Sequence, residues 1–129
     1  MASQTLVTEY QVAGHRLIDL LDAEGVHVLG ALWLYQDLTS DWTLLLATQT
    51  YEREGPRKAL EEVQRVYLSH RDALSPLKFD EIRIRGPHDS PFSLLRGIVG
   101  TGPGVSEIRF TNNRIGTTMI DDALIYRMQ

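Results

Sequence analysis

The amino-acid sequence predicts one α+β domain: a mixed, mostly antiparallel sheet of about five strands with helices packed on it. Three observations carry this. Apolar periodicity switches between helical and strand spacing in the order α-β-β-α-β-α-β-β. Two strand pairs are joined by short turn segments, which implies antiparallel pairing, while helical crossovers imply some parallel pairing. A chain of 129 residues, 43% hydrophobic and 23% charged, can bury a core without staples. The domain is expected to span 1–129, with residues 1–9 as a flexible lead-in.

Tyr10 to Glu24 reads as the first helix, with Leu17, Leu20 and Leu21 as its apolar stripe and Gly25 placed for a left-handed C-terminal cap. Gly14 is out of character inside it. His27 to Gln36 reads as a strand with Ala31, Trp33 and Tyr35 on one face and Val28, Leu32 and Leu34 on the other. Both faces are apolar, so this strand is expected to be central. Asp37 to Asp41 has turn chemistry, and Trp42 to Thr48 forms the second arm of a hairpin.

Gly55-Pro56 opens the second helix, since proline suits a first turn whose N–H groups lack partners. Its stripe is expected to be Ala59, Leu60, Val63, Val66, Tyr67 and Leu74, supported by Glu54/Lys58 and Glu61/Arg65 pairs and ended by Ser75-Pro76. Phe79 to Arg85 alternates, Ile82 and Ile84 against Glu81, Arg83 and Arg85, which marks a strand with a wet face or near an edge. Ser90-Pro91 signals a short helix over Phe92 to Val99, and Gly100 to Gly104 follows as a loop. A final hairpin is expected from Val105 to Thr111 and from Arg114 onward. Its turn would be Asn112-Asn113, setting Phe110 opposite Ile115 and Ile108 opposite Thr117, and its second arm would break at Asp121-Asp122.

Composition narrows the function classes. The chain has no cysteine, which removes disulfides, thiolate metal sites and a cysteine nucleophile. No apolar run approaches the roughly 20 residues of a membrane span, and Met1 to Gln11 lacks the pattern of a signal peptide, so a cytoplasmic protein is expected. The net charge of −4 argues against a strong non-specific grip on nucleic acid. The charge is uneven: residues 1–64 carry four basic and ten acidic residues, residues 65–129 nine basic and seven acidic.

Each chemically suggestive pattern has a structural alternative. Gly97, Gly100, Gly102 and Gly104 could bare N–H groups to a phosphate, but the segment runs from helix into strand, so the wrong end of the helix dipole faces it. Asp121 and Asp122 could share a cation or acid–base work, yet in extended chain they point to opposite faces. The stretch Ile120 to Tyr126 resembles, over seven residues, a strand of laminin-G and concanavalin-type lectin sandwiches, whose all-β fold the three helices contradict. His15, His27, His70 and His88 lack metal-site spacing. His88-Asp89-Ser90 is too close in sequence for a catalytic triad and is expected to start a helix, with Asp89 or Ser90 capping it. Glu81-x-Arg83 and Glu107-x-Arg109 have arginine where a metal nuclease centre needs lysine. Arg83, Arg85 and Arg109 could form a cationic strip or simply protect sheet edges. Trp33, Tyr35 and Trp42 read as core, with an aromatic binding surface as the alternative.

The expectation is therefore a non-catalytic protein-interaction or accessory module with a protein partner or a second copy of itself, and no cofactor. The alternative is a small enzyme or ligand-binding protein with its site at strand ends near Gly100–Gly104 and Asp121/Asp122. The candidate binding residues are Arg83, Arg85, Arg96, Arg109, Asp121 and Asp122.

Overall fold

The structure, a computed structural model, describes residues 6–36 and 41–129. Its elements are α1 (Thr8–Ala23), β1 (Val28–Gln36), β2 (Asp41–Thr48), α2 (Gln49–Glu54), α3 (Pro56–Ser69), β3 (Ile82–Ile84), α4 (Phe92–Leu95), β4 (Ile108–Ile115) and β5 (Thr118–Met128). The expected order holds, with one short helix, α2, inserted after β2. Of the turn expected over Asp37 to Asp41, residues 37–40 lie outside the described residues, as do residues 1–5 of the lead-in, and Asp41 already belongs to β2. Leu6 is buried, and α1 begins two residues ahead of Tyr10.

The five strands lie in the order β3-β2-β1-β5-β4. β1 is central and pairs antiparallel with β2 and β5; β4 pairs antiparallel with β5, and only β3 runs parallel, beside β2. Each face of the sheet has its own apolar cluster. On the first face α1 and α3 press Leu17, Ile18, Leu21, Val63 and Val66 onto Ala31, Trp33, Leu44, Leu46, Leu124 and Tyr126. On the second face α4 brings Phe92 and Leu95 onto Leu32, Leu34, Leu45, Ala47, Ala123 and Ile125. A strand apolar on both sides thus occupies the only kind of place that can bury both.

Two bulges adjust this pattern. The β1–β2 register shifts between Val28 and Gly30, which turns Val28 into the first cluster beside Trp33 instead of opposite it. The β1–β5 register shifts between Ala31 and Leu32, so Tyr126 and Arg127 both serve the first face.

Gly25 takes φ +81° and caps α1 as expected, with the Val26 N–H reaching back to the Leu21 carbonyl at 2.9 Å. Gly14 has a packing reason. A Cβ there would lie 2.7 Å from Trp33 Nε1 and 2.8 Å from Tyr126 Oη. The helix sits against the sheet at a distance that only a residue without a side chain allows.

Several expectations are corrected. Leu60 is 41% exposed, because α3 is amphipathic over a narrower arc set by Ala59, Val63, Val66 and Tyr67. Its charged partners also differ: Arg57 and Lys58 both approach Glu61, and Arg65 reaches Glu24, just past the end of α1, at 3.4 Å. The helix stops at Ser69, and Leu74 is buried from a separate 3-10 turn. Phe79–Glu81 forms another 3-10 turn, which leaves β3 only three residues. α4 is a single turn, and neither Asp89 nor Ser90 caps it; the Asp89 carboxylate instead accepts the Gly86 N–H at 3.1 Å.

The largest correction concerns the last hairpin. β4 runs through Asn112-Asn113, and the turn falls at Gly116-Thr117, where Gly116 takes φ +63°. A glycine in a two-residue hairpin loop outcompetes two asparagines. Phe110 therefore faces Ala123, and Ile108 faces Ile125. β5 is unbroken through Asp121-Asp122. Asn112 does adopt positive φ, +47°, but inside the strand. There the ladder turns over, so that Phe110 and Ile115, five residues apart, both pack on the second cluster, as do Ile120 and Ala123, three apart. The hairpin tip consequently curls across the second face.

Candidate functional site

The curled tip and the β3 edge enclose a groove of about 580 Å³ on the second face. Its floor is Leu34 and Leu45, with Ile120 rising on the hairpin side. Arg83 and Arg85 form one wall. They stand there because Ile82 and Ile84 are drawn into the first cluster, and strand alternation sends their neighbours the other way. Asp121 borders the opposite side, with Ser90 and Pro91 along the approach to α4.

Both arginines are exposed and held locally. Arg83 Nη1 donates to the carbonyls of Asp80 and Ile82, and Arg85 Nη1 donates to the Ile84 carbonyl at 3.1 Å. Neither has an ion pair with a carboxylate among the described residues, and Asp121 likewise has none. Two guanidinium groups, each held through one terminal nitrogen and keeping its other N–H donors over an apolar floor, suit a carboxylate or similar anion attached to an apolar group.

Three of the six candidate residues thus share one site: Arg83, Arg85 and Asp121. Arg109 and Asp122 form a second unit on the other face. Arg109 Nε and Nη2 donate to the two Asp122 carboxylate oxygens at 2.7 and 2.6 Å. This bidentate pair, chiefly through its hydrogen bonds, raises the arginine pKa further above its ordinary value. The same guanidinium lies 5.7 Å from the centre of the Trp42 ring, whose centre is 5.3 Å from that of Tyr35 with the planes tilted at 55°. Arg109 and Asp122 satisfy one another and join three strands. The supposed arginine strip does not exist as one surface, since Arg83 and Arg85 lie on one sheet edge and Arg109 on the other.

Arg96 is separate again; its Nε donates to the Gln129 carbonyl at 2.8 Å. The glycine loop lies at that end too. Thr101 N–H donates to the Met128 carbonyl at 3.0 Å, and Met128 N–H donates to Thr101 Oγ1 at 2.8 Å. Gly100–Gly104 therefore meets the C-terminal end of β5, six residues and about 20 Å along the strand from Asp122. They cannot line one small-ligand site.

The histidines each meet an acid or amide. His15 lies between Asp19 at 3.5 Å and Glu107 at 3.6 Å, His70 meets Glu24 at 2.9 Å, His88 meets Glu52 at 3.4 Å, and His27 meets Gln49 at 2.8 Å. Among the described residues no group of three acidic or histidine side chains could hold a metal ion. His88, Asp89 and Ser90 point to three different partners or surfaces, as adjacency requires.

Sequence reasoning missed two polar networks. Arg127, only 3% exposed, forms a bidentate pair with Asp22 at 2.8 and 2.9 Å and donates to the carbonyls of Val28 and Gly104. Its signal was a lone arginine inside the apolar run Ala123–Met128. Trp33 Nε1 donates to Tyr126 Oη at 3.1 Å, and the Tyr126 hydroxyl donates to the Gln11 carbonyl at 2.6 Å. Burial pushes the Tyr126 pKa well above the ordinary tyrosine range. Gly14 was the trace of this network in the sequence.

No helix among the described residues is long and apolar enough to cross a membrane. No protein-family model matches the chain, and no curated protein or solved structure matches it at a significant level.

Proposed function

We propose that this chain is a binding module whose recognition surface is the groove between β3 and the β4–β5 hairpin tip. Its occupant is an extended, acidic and apolar segment of a partner protein. The observation that supports this is the pairing of Arg83 and Arg85, neither matched to a carboxylate, with the apolar floor of Leu34 and Leu45. Such a groove holds a segment by seating an apolar side chain while the guanidinium groups take its carboxylates. Arginine stays protonated, so these walls bind and orient without exchanging protons, which accords with a non-catalytic role. A cytoplasmic setting is part of the same reading.

The sheet edges are poorer docking sites. β3 is three residues long, and β4 is kinked at Asn112 and carries Arg109 and Arg114 with no acidic residue. Two copies of β4 laid antiparallel would bring arginines toward one another, which opposes dimerisation by strand addition.

Selection from a displayed random-peptide library tests the proposal. Wild type is expected to enrich sequences with Asp or Glu beside a large apolar residue. The R83E/R85E variant, with its fold verified by circular dichroism, is expected to lose them. Recovery of peptides without acidic enrichment, or equal recovery by the variant, would refute it. Sedimentation velocity gives the oligomeric state, and a dimer that R83E/R85E leaves intact would shift the interface away from the groove.

A further inference from the structure

A second cavity, of about 270 Å³, lies on the first face beside the start of α1, with the half-buried rings of Tyr10 and Trp42 in its lining. Tyr10 stands edge-on to Trp33 with ring centres 6.0 Å apart and planes at 90°. Trp42 adds a further aromatic lining, and Asp41 and Glu81 supply carboxylates at the rim. Glu81 accepts the Lys78 N–H on one oxygen at 2.8 Å; Asp41 is exposed and has no ion-pair partner among the described residues. The Tyr10 and Trp42 rings, with two carboxylates beside them, make that space favourable to positive charge.

We propose that this cavity binds an alkylammonium head, such as a methylated lysine side chain or a free quaternary ammonium compound. Trp42 already attracts one cation, since Arg109 lies 5.7 Å from its ring centre. Asp122 neutralises that arginine through both oxygens, so it does not exclude a second cation nearby. An alkylammonium suits the site better than a bare ammonium ion, because its methyl groups meet the Tyr10 and Trp42 rings and Val7 while its diffuse charge needs few hydrogen-bond acceptors. The proposal is independent of the groove, which lies on the opposite face; Asp41 stands where the rims of the two meet.

The protein itself provides the reporter. Of its two tryptophans, Trp42 is half-buried in the cavity lining and Trp33 is fully buried behind Tyr10, so the emission of Trp42 reads the site. The full chain is titrated at constant ionic strength with choline chloride and, separately, with 3,3-dimethyl-1-butanol, its uncharged isostere. A saturable emission change with choline is expected, with the alcohol about fivefold weaker. D41N and E81Q should each weaken choline and leave the alcohol unchanged. A trimethyllysine peptide tested against its unmodified form distinguishes a protein-borne head from a small molecule. The absence of a saturable change with both choline and the methylated peptide would overturn the proposal, as would equal affinity for choline and the alcohol.

Discussion

Replacing Gly14 by alanine sets two physical effects against each other, and the structure says which wins. Mid-helix Gly→Ala ordinarily stabilises by about 1 kcal/mol, because alanine is the better helix former. Here the new methyl group would fall 2.7 Å from Trp33 Nε1 and 2.8 Å from Tyr126 Oη, closer than real Cβ contacts allow. Neither ring can retreat freely, since both are fully buried and bonded to each other. Overpacking of this kind costs about 1–3 kcal/mol. Stretching the chain from Trp33 through Tyr126 to the Gln11 carbonyl adds about 1–2 kcal/mol for weakened buried hydrogen bonds. The expected net destabilisation is about 2–3 kcal/mol. A 129-residue domain loses stability near its midpoint at about 0.27 kcal/mol per degree, so Tm should fall by about 7–11 °C. Urea unfolding followed by tryptophan emission measures the free energy directly. Y126F removes the oxygen that the new methyl group meets, so the G14A cost should be smaller in the Y126F background, giving a coupling above about 0.5 kcal/mol. A G14A protein as stable as wild type, or more so, would refute the reasoning, because helix propensity would then have prevailed over close approach.

Three further outcomes are expected. D122N should cost about 1 kcal/mol in urea unfolding; the bidentate pair with Arg109 is well made, but Arg109 is 42% exposed in its side chain, so water screens part of the loss. At the other end of β5, D22A should destabilise more than R127M, about 3 against about 2 kcal/mol, because D22A strands a buried cation while R127M leaves a carboxylate that is 40% exposed and can rehydrate. In alkaline titration followed by tyrosine absorbance, Tyr126 should ionise only as the fold opens. Its folded pKa lies above its unfolded value of about 10, so its contribution is complete below pH 10 and is lost as pH rises beyond it. Y126F should therefore flatten the alkaline decline in stability.

The apolar patterns made the elements legible because burial is decided residue by residue. β1 reads as central from its two apolar faces, and α1 is capped by Gly25 as its sequence indicates. What failed were events decided between elements. The last hairpin was misread because asparagine and glycine both favour positive φ, and only the paired strand shows which is the loop and which the kink. Leu60 carries the right residue type at a position that the angle of α3 on the sheet turns outward. Of the candidate site, Arg83 and Arg85 were visible from strand alternation, and Asp121 was seen without its partners. The separation of Arg83 and Arg85 from Arg109 depends on strand order, which no local pattern encodes. Arg127 was passed over because an apolar run implies burial, and buried arginine is rare unless paired; its pair, Asp22, lies 105 residues away.

The two proposed sites occupy the same end of the sheet for one reason, which is how far the covering helices reach. On the second face, Phe92 of α4 presses on Gly30, where a Cβ would come within 2.6 Å of its ring. This fixes α4 over the beginning of β1 and leaves Leu34, near the strand's end, as the floor of the groove. On the first face, α1 starts at Thr8 and its Tyr10 reaches only as far as Trp33. The next aromatic pair along that face, Tyr35 with Trp42, lies beyond the helix and is closed partly by Arg109. A five-stranded sheet covered by one long helix pair and one single-turn helix thus keeps an end where apolar floors meet charged rims on both sides. The glycines at 14 and 30 settle how close the helices stand and where they stop, and through that they decide where binding surfaces remain.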